Sequence, residues 1–285
     1  MSDLKPSKAW MLDSLRKLVT LAVMIFSISP VVLLALDSFK SYSEIVSLPM
    51  TILPRNPTLN NFIEIEKIIP LVRMTANTFF VAGSITLSTV LLGTLAGYAF
   101  AKLHFWGREK IFMLTLSKLM IPVIVLVIPW MFMISRMGLL DSLWAIVLPN
   151  LSGAWTVFFM RQYISQLPNE LLDSARIDGA SELRIFYRIV LPLIKPALAA
   201  ATIVNFLSGW NEFVWPLLAL TSKSNFLLSI GVSYVKYSGG QMTEGTVNYG
   251  MLAAFSLFYS LPLLLAYLVL ARQFVESIVF SGLKR

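Results

Sequence analysis

Charged residues withdraw from this chain six times, each time for about the length of a membrane crossing. Nearly uncharged apolar runs occupy Leu18 to Leu36, Thr75 to Ala101, Ile111 to Ser135, Ser142 to Met160, Pro196 to Leu220 and Tyr249 to Ala271. Each approaches or exceeds the roughly 20 residues with which a helix crosses about 30 Å of hydrocarbon. None shows the ten-residue alternation of a membrane barrel strand, so the runs are predicted as helices. The expected fold class is all-α, a polytopic membrane protein with six transmembrane helices. The outer loop from Asp37 to Pro70 holds four prolines and is expected to pack as irregular structure over the bundle.

Composition supports that class. Of 285 residues, 57% are hydrophobic and 13% charged, with mean hydropathy +0.75, more apolar surface than a soluble domain can hide. The absence of cysteine excludes disulfides and thiolate metal sites. A single histidine, His104, leaves no basis for a histidine-based catalytic or metal centre, and it reads as a polar residue beside Phe105 and Trp106 at a membrane edge. No catalytic residue, metal or cofactor is expected. No clustered His, Asp and Glu set suggests a membrane-embedded hydrolase.

The net charge of +8 is read as cytoplasmic loops and not as nucleic-acid binding. With the N-terminus inside, the inner segments carry 15 Lys and Arg: Lys5, Lys8, Arg16, Lys17, Lys102, Arg108, Lys110, Arg161, Arg176, Arg184, Arg188, Lys195, Arg272, Lys284 and Arg285. The outer segments carry 7, Lys40, Arg55, Lys67, Arg73, Arg136, Lys223 and Lys236, while Lys118 lies within a span. Both termini are therefore predicted to be cytoplasmic. The first run is longer than a usual signal-peptide core and is read as an uncleaved helix. The expected organisation is a cytoplasmic N-terminus over 1–17 and one membrane domain over 18–285, with a core of about 75–275 and a cytoplasmic loop over 161–195.

The longest charged stretch within that core, Asn169 to Pro192, lies in this loop. Pro168 can start a helix, and Asn169 and Glu170 supply acceptors and negative charge at its N-terminus. Leu171, Leu172 and Ala175 fall on one face, the helix is expected to end near Asp178, and Gly179 permits a turn that a residue with a Cβ would resist. Ile185, Phe186, Ile189 and Val190 then form an apolar stripe opposite Arg184 and Arg188, with Pro192 expected to stop the helix. The product is an amphipathic helix, turn, helix unit at the membrane surface. Physics alone leaves two readings open, a docking site for a soluble partner or an interfacial hairpin without one.

Asp173, Ser174, Ala175, Asp178, Gly179, Ala180, Ile189, Leu191 and Pro192 resemble, with the internal spacing kept, the loop of ABC importer permeases written EAAxxDGA, eight residues, IxLP. Asp173 replaces Glu and shortens its reach by one methylene; Ser174 replaces Ala. Asn77, the run Tyr98 to Lys102, Met120-Ile121-Pro122, Gly138 to Ser142, Trp210 to Pro216 and the tail Gly282-Leu283-Lys284 are similar to the carbohydrate uptake branch, near the second permease subunit of the maltose system. The resemblance implies a bacterial or archaeal cell-membrane importer with these partners: a second permease subunit, two ATP-binding subunits and an extracytoplasmic solute-binding protein. It also implies that the 169–192 loop is the coupling helix unit contacting the ATPase, and that Gly282, Leu283 and Lys284 reach the ATPase dimer. The chain has no phosphate-binding GxxxxGK[ST] loop, so ATP hydrolysis falls to a partner and the chain is expected not to be an enzyme. Import of a sugar or oligosaccharide is the expected function. Glycerol phosphate or another polar solute, and a standalone secondary transporter, are the alternatives.

Within the spans, Gly93 and Gly97 form GxxxG beside Ser84, Ser88 and Ala96, read first as generic helix packing and second as a subunit contact. Pro122, Pro129, Pro149 and Pro262 are expected kinks or breaks. Asn211 and Glu212 lie fifteen residues beyond Pro196, roughly 22 Å into the membrane at 1.5 Å per residue. A carboxylate at that depth calls for a cavity or a partner, which makes both residues candidates for the solute pathway. Trp210 and Trp215 could stack on a sugar or serve as interfacial anchors. Lys118 is read as snorkelling to the cytoplasmic edge, or else as one half of a structural ion pair.

Overall fold

The computed structural model describes residues 6–237 and 247–282, and no strand occurs among them. Among the described residues, helices α1 (Pro6–Ser38) and α4 (Leu71–Lys102) are the two that are long and apolar enough to cross a membrane unbroken. Between them lie the short helices α2 (Tyr42–Ile45) and α3 (Asn60–Ile68), so the outer loop is less irregular than expected. After α4 come α5 (Arg108–Ser117), α6 (Val123–Arg136), α7 (Leu143–Val147), α8 (Ala154–Ser165), α9 (Asn169–Ile177), α10 (Glu182–Ile185) and α11 (Leu191–Leu193). They are followed by α12 (Lys195–Trp210), α13 (Val214–Ala219), α14 (Leu228–Tyr237) and α15 (Tyr249–Gly282).

Three of the predicted continuous spans are instead bent pairs. The third turns by 100° between Arg108–Met120 and Val123–Arg136. Pro122 is the cause: it supplies no N–H and disfavours helical conformation at Ile121, which is extended at φ −88°, ψ 116°. The fourth bends by 42° where the 3-10 turn Leu148–Asn150, containing Pro149, meets extended Gly153. The fifth bends by 81° at Ile194, and a second interruption at Asn211 to Phe213 separates α12 from α13. Pro129 and Pro262, by contrast, lie inside α6 and α15.

Two compact units are distinguished, 1–69 with 232–260, and 70–231 with 261–285. In the first, the Asn61 carboxamide donates to the carbonyls of Ser38 and Lys40, both at 2.8 Å, satisfying the backbone where α1 ends. Lys40 is buried and pairs with Asp37 at 2.7 Å while donating to the Thr51 carbonyl. In the second unit, α4 is the central element, packed against α8 and α12. Its Asn77 donates to the carbonyls of Ser224 and Phe226 at 2.9 and 3.1 Å, and Thr78 accepts from the Leu228 N–H. Asp141 ties the turn after α6 to the loop after α13, accepting from the Thr221 and Ser222 N–H groups at 2.9 Å. The Ser222 hydroxyl, which also donates to it, and then these backbone donors hold its carboxyl well below the usual carboxylate range.

The GxxxG surface of α4 faces α8 of the same chain. A Cβ on Gly97 would stand 2.7 Å from the Met160 Cβ and 2.9 Å from the Arg161 nitrogen, and one on Gly93 would meet Thr156 at 2.7 Å. Both glycines therefore set the approach of two helices within one subunit, as the generic packing reading holds. Gly97→Ala is expected to force α4 and α8 apart and cost about 1–3 kcal/mol. Gly83→Ala, with nothing within 4 Å of its Cβ, is expected to keep or slightly raise stability. Thermal unfolding of the two variants in detergent measures the contrast.

Candidate coupling loop and intramembrane cavity

The chain leaves α8 and enters the charged loop at a fixed point. Lys102, at the end of α4, donates through Nζ to the Leu167 carbonyl at 2.6 Å and to Asn169 Oδ1 at 2.7 Å. Pro168 occupies the N-cap of α9 with φ −58°. At the other end of α9, the Ala180 N–H donates to the Ala175 carbonyl and the Gly179 N–H to the Arg176 carbonyl, each at 3.0 Å. These two bonds are the Schellman closure, which requires a left-handed residue, and Gly179 supplies it with φ +77°. Ser181 restarts the chain by accepting from the Arg184 N–H through its hydroxyl.

The second arm departs from expectation at Pro192. It runs through α10 and a π-helical turn, Phe186–Val190, in which the Leu191 N–H reaches the Phe186 carbonyl. Pro192 then sits inside α11, and the break comes at Ile194. The wider turn makes room for a ring that clashes in a regular helix interior.

Apolar residues anchor the unit. Leu172, Ile185, Phe186 and Val190 are buried in one core with Tyr98 of α4, Met160 and Ile164 of α8, and Ile194, Ala197 and Ala201 at and beyond the break. Ala175, Ala180, Ile189 and Leu191 pack against that core. Leu171 was expected on the inward face with Leu172, but it is exposed, because α9 lies with only a narrow stripe against the bundle.

Polar residues close the same junction. Arg176 donates to Asp173 at 2.7 Å and to Glu182 at 2.8 Å, and the Tyr98 hydroxyl donates to the second Glu182 oxygen at 2.5 Å. Glu182 first, and Asp173 with it, raise the Arg176 guanidinium further above its already high range. The chain Asp173, Arg176, Glu182, Tyr98 thus joins the first arm to the second and both to α4. Sequence reading did not single out Lys102, Arg176 or Glu182 for this role: Lys102 meets Asn169 67 residues on and Glu182 meets Tyr98 84 residues back, while Arg176 pairs locally with Asp173 and Glu182. Toward solvent the loop presents Asp173, Ser174, Asp178, Gly179 and Pro192, together with Ile177 (86% exposed) and Leu183 (63% exposed). Gly282 is the last residue of α15, and Leu283 and Lys284 lie outside the described residues.

Deeper in the second unit the tryptophans are placed otherwise than a sugar-stacking role needs. Trp210 is fully buried, edge-on to Phe79 at 4.9 Å and near Phe206. Trp215 is fully buried too, donating to the Ala145 carbonyl at 2.9 Å with Trp130 against its ring. Neither ring is open to a solute in this structure. Asn211 is exposed and turns back on the Leu207 carbonyl at 2.8 Å. Glu212 lines a cavity of about 220 Å³ that Lys118 and Asn205 also line. Lys118 sits in the break between α5 and α6, where its ammonium donates to the Ser152 carbonyl at 2.9 Å.

The family described as binding-protein-dependent transport system inner membrane component matches residues 89–276. The chain is 34% identical over 261 residues to the arabinooligosaccharides transport system permease protein AraQ of Halalkalibacterium halodurans, covering 90% of this chain and 91% of that protein. It is 35% identical over 245 residues to the sn-glycerol-3-phosphate transport system permease protein UgpE of Escherichia coli O1:K1, covering 84% and 85%. Among solved structures, a bacterial ABC transporter involved in the import of the acidic polysaccharide alginate contains a chain of the same fold. The two superpose with a TM-score of 0.80 at 19% identity, over 95% of this chain and 99% of that one.

Because nothing lies within 4 Å of a Cβ at Gly179, the constraint there is backbone conformation alone. Gly179→Asn is therefore expected to keep the closure, since Asn tolerates the left-handed region, whereas Gly179→Val is expected to open it at a cost of about 1–2 kcal/mol. Hydrogen exchange at the Ala180 amide reads the difference directly.

Proposed function

We propose that this chain, which belongs to the family of binding-protein-dependent transport system inner membrane components, forms half of the pathway of an ATP-driven importer for a sugar or oligosaccharide. The chain is a transport subunit and not an enzyme, and ATP is hydrolysed by a partner. Six spans with both termini cytoplasmic, and a single membrane domain over 18–285, complete the reading. Its partners are a second permease subunit, two ATP-binding subunits and an extracytoplasmic solute-binding protein. Family membership sets aside the standalone secondary transporter.

The observation that carries the proposal is the loop 169–192, held to three spans by a buried core and a closed polar chain while offering apolar Ile177 and Leu183 beside the Asp173 carboxylate. Exposed apolar groups on a rigid charged surface suit a protein partner better than water. Asp173 to Ala180 seat on the ATPase, and Ile189, Leu191 and Pro192 carry its movement toward α12. The tail Gly282-Leu283-Lys284 reaches the same partner. Differential binding of ATP to two arrangements of the ATPase then drives alternating access. Asn211 and Glu212 belong to the solute pathway; Trp210 and Trp215 support it from the core.

Cargo is proposed from likeness. Arabinooligosaccharides appear in the name of one relative and sn-glycerol 3-phosphate in that of another. The cation Lys118 is balanced by Glu212 on the same cavity, which favours the neutral sugar over the phosphate.

Purification in mild detergent is expected to recover the chain with an ATP-hydrolysing subunit, and Asp173→Ala is expected to lower the amount recovered severalfold while Asp173→Glu retains it. Undiminished recovery with Asp173→Ala would show the carboxylate dispensable, and recovery of the chain without any ATPase would contradict the importer reading.

A further inference from the structure

Breaks in three consecutive spans open onto one space. The cavity beside Glu212 is walled by Lys118 from the 3-10 turn after α5, by Asn150 and Trp155 on either side of the bend between α7 and α8, by Asn205 and Ser208 late in α12, and by Glu212 beyond its end. Irregular backbone at membrane depth is tolerated where it lines a cavity or lies within protein, and ionisable side chains there call for polar surroundings. One cavity meets both requirements.

The wall offers a particular chemistry. Lys118 uses one donor on the Ser152 carbonyl and keeps two more. Glu212 accepts from the Trp215 backbone N–H and retains further lone pairs. Asn150 commits an N–H to the Ile146 carbonyl and keeps its oxygen as an acceptor. Asn205 is held by Thr156 at 3.0 Å and by the Ala201 carbonyl at 2.8 Å, so its carboxamide is fixed before any ligand arrives. Trp155 is 37% exposed, with its ring stacked on Phe159 at 5.2 Å, and it supplies the flat apolar surface that Trp210 and Trp215 do not.

One cation, one carboxylate, fixed amides and an aromatic plane match a neutral ring bearing several hydroxyl groups. Its C–H face lies on the indole, and its hydroxyls donate to Glu212 and Asn150 and accept from Lys118. A phosphate or carboxylate would meet the like charge of Glu212 across the same small cavity. The volume is below the roughly 300–1,000 Å³ of pockets that enclose a drug-sized ligand, which suits a single ring.

We propose that this cavity is a solute subsite built within this chain, taking one ring of a neutral sugar between Lys118, Asn150, Trp155 and Glu212; it rests on the importer reading and specifies its cargo class. The chain lacks cysteine, so Ser208→Cys places its one thiol on the cavity wall. Labelling of this chain by N-ethylmaleimide is followed in the purified transporter in nanodiscs, with arabinotriose, maltotriose, xylotriose, sn-glycerol 3-phosphate or oligoalginate added. At a concentration a few times its dissociation constant, at least one neutral trisaccharide is expected to slow labelling about fivefold by mass action, with the two anions without effect. Glu212→Gln, which keeps the side chain's shape and its acceptor for the Trp215 N–H, is expected to weaken that protection. Labelling that no neutral sugar slows, that only an anion slows, or whose protection survives Glu212→Gln undiminished would overturn the subsite. Those results in a transporter that retains its ATPase leave the importer reading standing. Loss of the ATPase from the preparation overturns that reading instead, while the labelling still reports on the cavity.

Discussion

A loop this rich in charge keeps one shape only if its polar groups close on one another and its apolar groups close on the bundle. The Glu182 carboxylate meets both demands at one point. One oxygen takes the Arg176 guanidinium and the other the Tyr98 hydroxyl, so a residue at the start of the second arm is bonded to the first arm and to α4 together. Directly beneath, Ile185 and Phe186 enter the core that contains Tyr98 itself. Hydrogen bonds to charged groups are worth about 1.5–3 kcal/mol each when well formed, and the partial exposure of this network places it toward the low end. The core makes up the difference, and the polar chain fixes its register.

From that junction the rest of the second unit acquires its order. The Schellman closure at Gly179 turns the chain so that Glu182 can meet Arg176. Lys102 holds the other end of α9 through Leu167 and Asn169, so α4 grips the loop at both Tyr98 and Lys102, four residues apart on one helix face. The glycines of α4 bring α8 close enough to share the core. The exposed face of α9 is thereby joined through one buried core to α4 and α8 and, across the break at Ile194, to Ala197 and Ala201 of α12. That break stands where the loop gives way to α12, whose far end bears the polar cavity residues Asn205 and Ser208.

The sequence made much of this visible because local chemistry decides it. The helix from Asn169, its end at Asp178 and the glycine turn follow from neighbouring residues, as do the apolar stripe of Ile185, Phe186 and Val190. What stayed hidden has three physical causes. Hydropathy counts apolar residues without regard to direction, so the 100° turn at Pro122 and the 42° bend at Gly153 left the runs looking continuous. A proline signals disruption without saying where it falls: Pro192 is absorbed by a π-helical turn, and the chain breaks two residues later. Long-range pairing leaves no local trace, which is why Glu182 with Tyr98, and Lys118 with the Ser152 carbonyl, emerge only from the fold. Trp210 and Trp215 were legible as important aromatics, but burial makes them packing residues, and Trp155 takes the exposed position.

The central claim is that the loop moves as one body with the inner end of α4, and a distance across that junction tests it most directly. Paired spin labels at Ile177→Cys on the loop and at Phe105→Cys just beyond α4, in a chain that has no other cysteine, report their separation by electron resonance in the assembled transporter before and after ATP is added. A rigid junction predicts one narrow distribution, unchanged by ATP while transport proceeds. A shift by a helical turn, about 5.4 Å, or a broad distribution in either state, would contradict the account.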